Sequence, residues 1–201
     1  MDKALQAAMN EIRRYIAGSS TPEDPAHADN TLHWLLKLKP DAGPALQLAA
    51  LGHDIDRASP DKVQRRDFSD YDAFKAAHAR HGAAILAELL CCHGLPDALV
   101  QQCCDLVRQH ETGGTAEADV LRDADSLSYF DTNLPLYLQR EGEQEALRRS
   151  LWGLQRLSPG ALALLGSWQH KDPAAAAIIE EALVRHRRQA NGTEESANTT
   201  Q

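Results

Sequence analysis

The chain has 201 residues, a formal charge of −8 and only 5% aromatic residues. Its length suffices for a core without disulfide staples, and its acidic balance argues against a nucleic-acid partner or an anionic membrane surface. Alanine and leucine dominate and β-branched residues are sparse, a balance that favours helices over strands.

In chain order, Leu5, Ala8, Met9, Ile12 and Ile16 recur at helical spacing and predict a helix over 2–17, stopped by Gly18-Ser-Ser-Thr-Pro22. Glu23-Asp24-Pro25 suits the start of a second helix, 25–39, which carries His27 in its first turn and ends at Lys39-Pro40-Asp41. A third helix, 42–57, holds His53 and Asp54 in its last turns. Residues 59–67 form a polar, largely basic loop with Lys62, Arg65 and Arg66. Helices follow over 68–92, with Gly94 past its end, over 96–110 and over 116–130. Three further helical segments span 133–139, 142–157 and 173–189, with a shorter piece at 159–169. The expected fold is a single all-α domain over 1–190 with a disordered tail over 191–201, where no apolar anchor occurs.

Met1-Asp-Lys-Ala-Leu-Gln lacks the apolar stretch of a secretory leader. No run approaches the roughly 20 apolar residues that span a bilayer. A cytoplasmic location is therefore expected, with Cys91, Cys92, Cys103 and Cys104 as reduced thiols in helices. The two vicinal pairs do not have the CxxC spacing of a zinc site.

The apolar run Leu48-Gln-Leu-Ala-Ala-Leu-Gly52 ends abruptly in His53-Asp54. Burying an imidazole beside a carboxylate without partners is costly, and a metal ion is the simplest shared partner. His27, His78, His110 and Asp125 lie on or at the ends of other helices whose apolar stripes face a common core. Six nitrogen and oxygen ligands exceed what one tetrahedral zinc needs. They suit one octahedral ion with open positions, or two ions bridged by a carboxylate. If two ions bind, the His78 and His110 nitrogens must lie within about 5 Å of an Asp54 oxygen. Arg57 stands one helical turn beyond the pair, Lys75 shares a stripe with Tyr71 and His78, and Arg122 precedes Asp125 by three residues. These three cations are candidates for binding a substrate.

The order His…His-Asp…His…His…Asp resembles the HD-domain superfamily of metal-dependent phosphohydrolases. The matching stretches are His53-Asp54-Ile55, His78-Ala-Arg-His81-Gly82-Ala83, Val107-Arg-Gln-His110-Glu111 and Asp123-Ala-Asp125-Ser-Leu127, within residues 25–130. The resemblance implies a helical bundle with the metal site in its core. It assigns one ion to His27, His53, Asp54 and Asp125, and a second to His78 and His110 with Asp54 bridging. His81 would stand behind the ligands. The ions would be drawn from Mn, Fe, Co and Zn, and His53 and Asp54 would also serve catalysis. The implied substrate is a nucleotide or another small phosphorylated metabolite. The same six-ligand pattern resembles the mixed-valent di-iron oxygenases of this fold. A third reading is a non-catalytic nucleotide sensor, because Ile55-Asp56-Arg57 stands where many hydrolytic members carry Gly-Lys.

Overall fold

Pro44-Ala-Leu-Gln-Leu-Ala-Ala-Leu-Gly52 is apolar on every side, a pattern that places a helix in the interior rather than on a surface. In the computed structural model it is helix α3, Pro44–Gly52, with Ala45, Leu46, Leu48, Ala49, Ala50, Leu51 and Gly52 all buried. The structure describes the backbone of residues 3–198 and the side chains of residues 3–189. The described residues are all-α, with no strand among them. The expectation for 191–201 falls on residues whose side chains lie outside this description, and 199–201 lie outside it altogether.

Contacts divide the chain into two compact units, Met1–Ser128 and Tyr129–Gln201. The first holds α1 (Lys3–Ile16), α2 (Asp24–Leu38), α3, α4 (Tyr71–Cys92), α5 (Asp97–Gln109) and α6 (Ala116–Ser128). Helix α1 buries Leu5, Ala8, Met9, Ile12 and Ile16, the stripe its spacing implies. Helix α2 opens with Pro25 in its first turn, where a missing N–H costs nothing. Asp70 caps α4 by accepting from the Ala73 N–H at 2.8 Å. Helix α2 packs on α6 and α4 on α5, while α3 is packed by α1, α2, α5 and α6. Leu35, Leu46, Leu48, Leu51 and Leu86 are wholly buried, each contributing about 1.5–3 kcal/mol.

The second unit begins with a π turn, Tyr129–Asn133. It continues through α7 (Leu134–Glu141), α8 (Glu143–Leu154), α9 (Pro159–Ser167) and α10 (Pro173–Asn198). Helices α8 and α10 pack together, with α7 beside both. No helix of the described residues is long and apolar enough to cross a membrane.

One boundary differs in a way that matters. The third helix does not run to residue 57; it ends at Gly52, and a 3₁₀ turn follows over Ile55–Ala58. The His53 Nδ1 donates to the Ala50 carbonyl at 2.9 Å. A carbonyl at a helix end has no partner within the helix, so the imidazole satisfies it. Asp54 then turns out of the helix at φ −102°, ψ 15°.

Candidate metal centre

Four imidazoles are buried in the first unit: His27, His53, His78 and His110. His53 and His110 occupy the same local position, the residue just past the last turn of a helix, α3 and α5 respectively. Each Nδ1 bonds the carbonyl three residues back, Ala50 at 2.9 Å and Val107 at 2.7 Å. His27 lies in the first turn of α2, and its Nδ1 is 2.9 Å from the Ser128 hydroxyl, which in turn donates to the His27 carbonyl at 3.1 Å. The His78 Nδ1 donates to Asp56 Oδ2 at 2.7 Å. In all four rings, therefore, Nδ1 is engaged by the protein and Nε2 is turned the other way. A hydrogen bond at one ring nitrogen fixes which nitrogen is left to bind a metal.

The Nε2 atoms meet two carboxylates. His27 Nε2, His53 Nε2 and Asp125 Oδ1 form one triangle, with sides of 3.1 Å (His27–Asp125), 3.2 Å (His27–His53) and 3.5 Å (His53–Asp125). Asp54 Oδ2 stands 3.9 Å from His27 Nε2 and 3.7 Å from His53 Nε2. The other oxygen, Asp54 Oδ1, is 2.9 Å from His78 Nε2 and 4.0 Å from His110 Nε2. Both distances fall inside the bound of about 5 Å that two bonds to one ion allow. The six expected ligands are thus brought together as two groups, one on each oxygen of Asp54. The Asp54 and Asp125 side chains retain 17% and 16% exposure while the His53 side chain retains 1%, so solvent reaches the carboxylates and not this imidazole.

The chemistry of this donor set suits a cation. With both Nδ1 atoms donating, the neutral rings of His27 and His53 would present lone pairs to each other across 3.2 Å, beside a carboxylate oxygen. Bonds of about 2.1 Å to one ion space neighbouring ligands by about 3.0 Å in an octahedron and 3.4 Å in a tetrahedron. The triangle already has that spacing.

Protons can balance the same charge. Burial pulls the His53 imidazole down, but the charges of Asp54 and Asp125 prevail and lift it to about 9. Burial also opposes the charging of His78, and hydrogen bonds to Asp54 and Asp56 lift it to about 10. His110 goes the other way, since its burial outweighs the pull of Glu111. Asp54 is half-buried, which opposes its charge, yet His53 and Arg57 hold its carboxyl well below the usual carboxylate range.

The three candidate substrate-binding cations have protein partners. Arg57 Nη1 donates to Asp54 Oδ2 at 3.1 Å. Its Nη2 stands 3.0 Å from Asp24 Oδ1, an ion pair without hydrogen-bond geometry. Arg122 donates to the Thr112 carbonyl at 2.9 Å and pairs with Asp119 at 3.4 Å. Lys75 is 3.0 Å from Asp72 and lies 5.3 Å from the centre of the Tyr71 ring. Arg57 therefore sits on the cluster as a partner of two carboxylates, while Arg122 pairs with Thr112 and Asp119, and Lys75 with Asp72.

Three groups at the centre went unassigned by sequence reasoning. Asp56, 1% exposed, accepts from both His78 and His81. Ser128 holds His27. Glu111 lies 3.8 Å from His110 Nε2. For Asp56 the signal was present as a second acid two residues beyond Asp54; for Ser128 nothing local distinguishes it within the helix.

The fold and the cluster define an all-α protein with a buried histidine–aspartate centre of ligand spacing. Residues 3–178 match the model of a family described as a domain of unknown function (DUF4202), and the chain belongs to that family. No curated protein and no solved structure matches it.

Proposed function

We propose that the protein is a metal-dependent phosphohydrolase of the HD type, acting on a nucleotide or another small phosphorylated metabolite. The observation that carries this reading is the pair of ligand triangles on opposite oxygens of Asp54. His27, His53 and Asp125 would hold one ion, His78 and His110 the other, and Asp54 both. Ions bound there would supply Lewis acidity, neutralising phosphoryl charge and making a water more acidic. The chain's own groups orient and seal: helix-end carbonyls fix His53 and His110, Ser128 fixes His27, and Arg57 steadies Asp54. The Glu111 carboxylate, 3.8 Å from His110 Nε2, is placed to take a proton at the edge of the cluster.

The test is reconstitution of metal-stripped protein with Mn, Co, Zn or Fe. Ion stoichiometry and hydrolysis of p-nitrophenyl phosphate, its diester and a nucleotide panel are then measured. Two ions and metal-dependent phosphate release support the proposal. Failure to bind any of these ions, or turnover that persists in Asp54→Ala, refutes it.

A second reading, a di-iron oxygenase, draws support from one observation: Arg57 and Arg122 are engaged by protein partners, which weakens the case for a phosphate subsite. Oxygen uptake by the iron-loaded protein, with no hydrolysis under anaerobic Mn, selects that reading.

A further inference from the structure

Resting on the two-ion reading, we infer that Asp56 is the positioning residue of the second ion's site, acting through His78. Asp56 is a buried carboxylate, 1% exposed, that touches none of the ions' direct ligands except this imidazole. Its Oδ2 accepts from His78 Nδ1 at 2.7 Å, and its Oδ1 accepts from the Val63 N–H at 3.2 Å and from His81 Nδ1. The carboxylate is thus anchored to the 59–67 loop through Val63 and to α4 through His81, one turn beyond His78. It cannot swing away from His78 without breaking both anchors.

The four histidines are not held alike. His53 and His110 lean on helix-end carbonyls, and His27 on a serine hydroxyl. Only His78, among these four, has its Nδ1 held by a full negative charge. A carboxylate behind a ligating imidazole fixes the Nδ1–H tautomer and makes Nε2 a stronger donor. His78 needs this help most. Its Nε2 hydrogen-bonds Asp54 Oδ1 at 2.9 Å, whereas the nearest approach of His110 Nε2 to that oxygen is 4.0 Å. An ion entering there must open the His78–Asp54 contact, and the ring has to keep its aim while it opens. Asp56 supplies that aim. The arrangement makes affinity for the second ion separately adjustable, because the Asp56 carboxylate bonds Val63, His78 and His81 rather than His27, His53 or Asp125.

The experiment is Mn(II) titration of metal-stripped wild type, Asp56→Asn and His81→Ala, read by equilibrium dialysis and by electron paramagnetic resonance. Asp56→Asn keeps the shape and removes the charge. It is expected to bind the first ion within about twofold of wild type and the second about 10–100-fold more weakly. The exchange-coupled two-ion signal should give way to an isolated Mn(II) signal at intermediate metal. His81→Ala, which leaves the Asp56–His78 bond in place, should change the second affinity by less than about threefold. A purely structural role for Asp56 would weaken both ions together, or make His81→Ala as costly as Asp56→Asn; either result overturns the inference. Should Asp56→Asn fail to fold, nitrogen NMR of Zn(II)-loaded wild type decides, since His78 must carry its proton on Nδ1, and an Nε2–H tautomer overturns the inference. Wild type with fewer than two ions overturns the two-ion reading and this inference together. Two ions in wild type and two equally tight ions in Asp56→Asn overturn this inference alone.

Discussion

The two triangles use the same ligand types, two imidazoles and a carboxylate oxygen, yet they are balanced differently. His27, His53 and Asp125 stand 3.1–3.5 Å apart. Two of those three atoms are ring nitrogens facing each other across 3.2 Å, and in metal-free protein the proton held on His53 lies between them. In the second triangle His78 has closed on Asp54 at 2.9 Å, leaving His110 at 4.0 Å. A proton on His78 satisfies that half by itself. The lesson is that equal ligand counts do not give equal sites. Both halves exchange a proton for an ion, from His53 in the first and from the more strongly raised His78 in the second, but only the first already has the ligand spacing. The first ion should therefore bind tightly, and the second more weakly and with stronger dependence on pH.

The largest effect belongs to the residue the halves share. Asp54→Ala should lose both ions and lower turnover by about 10³-fold or more, since each ion is worth several kcal/mol in the transition state and 1.36 kcal/mol is a factor of ten. Metal analysis after dialysis reads the loss directly. Retention of even one tightly held ion in this variant would show that Asp54 does not bridge the halves.

Single-sided variants separate them. Asp125→Ala should abolish the first ion and leave the second site's ligands intact, and His110→Gln should do the reverse. Each should cost its own ion more than the 10–100-fold typical of a residue behind a ligand. Dialysis against graded metal gives one ion per chain in each case. Equal loss of both ions in both variants would make the cluster one indivisible site and erase the comparison.

A smaller, graded effect is expected from pH. In metal-free protein His53 is raised to about 9 and His78 to about 10, from an ordinary 6.5. Stability that comes from charging these rings is fully present below about pH 6.5 and is lost as pH rises through 9 and 10. Metal-free protein should therefore melt lower at pH 9.5 than at pH 6, each kcal/mol lost lowering Tm by about 2–4 °C. Metal-loaded protein should show the opposite trend, because an ion needs the neutral ring and releases the proton. A melting gap between loaded and stripped protein that fails to widen from pH 6 to 9 would remove the proton-for-metal exchange from the account.

Which parts of this were legible in the sequence follows from how far each partner lies along the chain. The convergence of the six candidate ligands could be read because each sits at or near a helix end or on a core-facing stripe, and their order carries information that no single one does. The all-α fold was legible from Leu5-to-Ile16 spacing and the apolar Pro44–Gly52 run. The early end of α3 was not, because it depends on the His53 side chain bonding the Ala50 carbonyl rather than on propensity. The role of Asp56 is not legible locally, because its partners, His78 and His81, lie 22 and 25 residues away. The Arg57–Asp54 contact is legible from their spacing of three residues, although a 3₁₀ turn and not the helix brings them together. The second partner of Arg57, Asp24, is 33 positions upstream, and nothing local announces it.

Arg57 gives the prediction with the smallest expected effect on the ions. As a phosphate-binding group, its loss would raise KM and leave the fold alone. As a partner of Asp54 and Asp24, its loss acts on the protein instead. Asp24 has a side chain 2% exposed. Its pKa is raised by burial, which the Arg57 charge and the Ser19 hydroxyl only partly oppose. Removing Arg57 leaves that carboxylate accepting from Ser19 Oγ at 2.5 Å, an unbalanced buried charge costing about 1–3 kcal/mol. Arg57→Ala should thus lower the Tm of stripped protein by about 2–4 °C per kcal/mol lost while both ions still bind. The deficit should be largest near neutral pH and shrink towards pH 5, because a carboxyl whose folded pKa has been raised loses its stabilising protonation as pH rises. Melting curves of wild type and variant at pH 5 and pH 7.5, beside KM for whichever phosphate ester is turned over, separate the roles. A variant with unchanged Tm at both pH values and a KM raised tenfold or more would return Arg57 to the substrate.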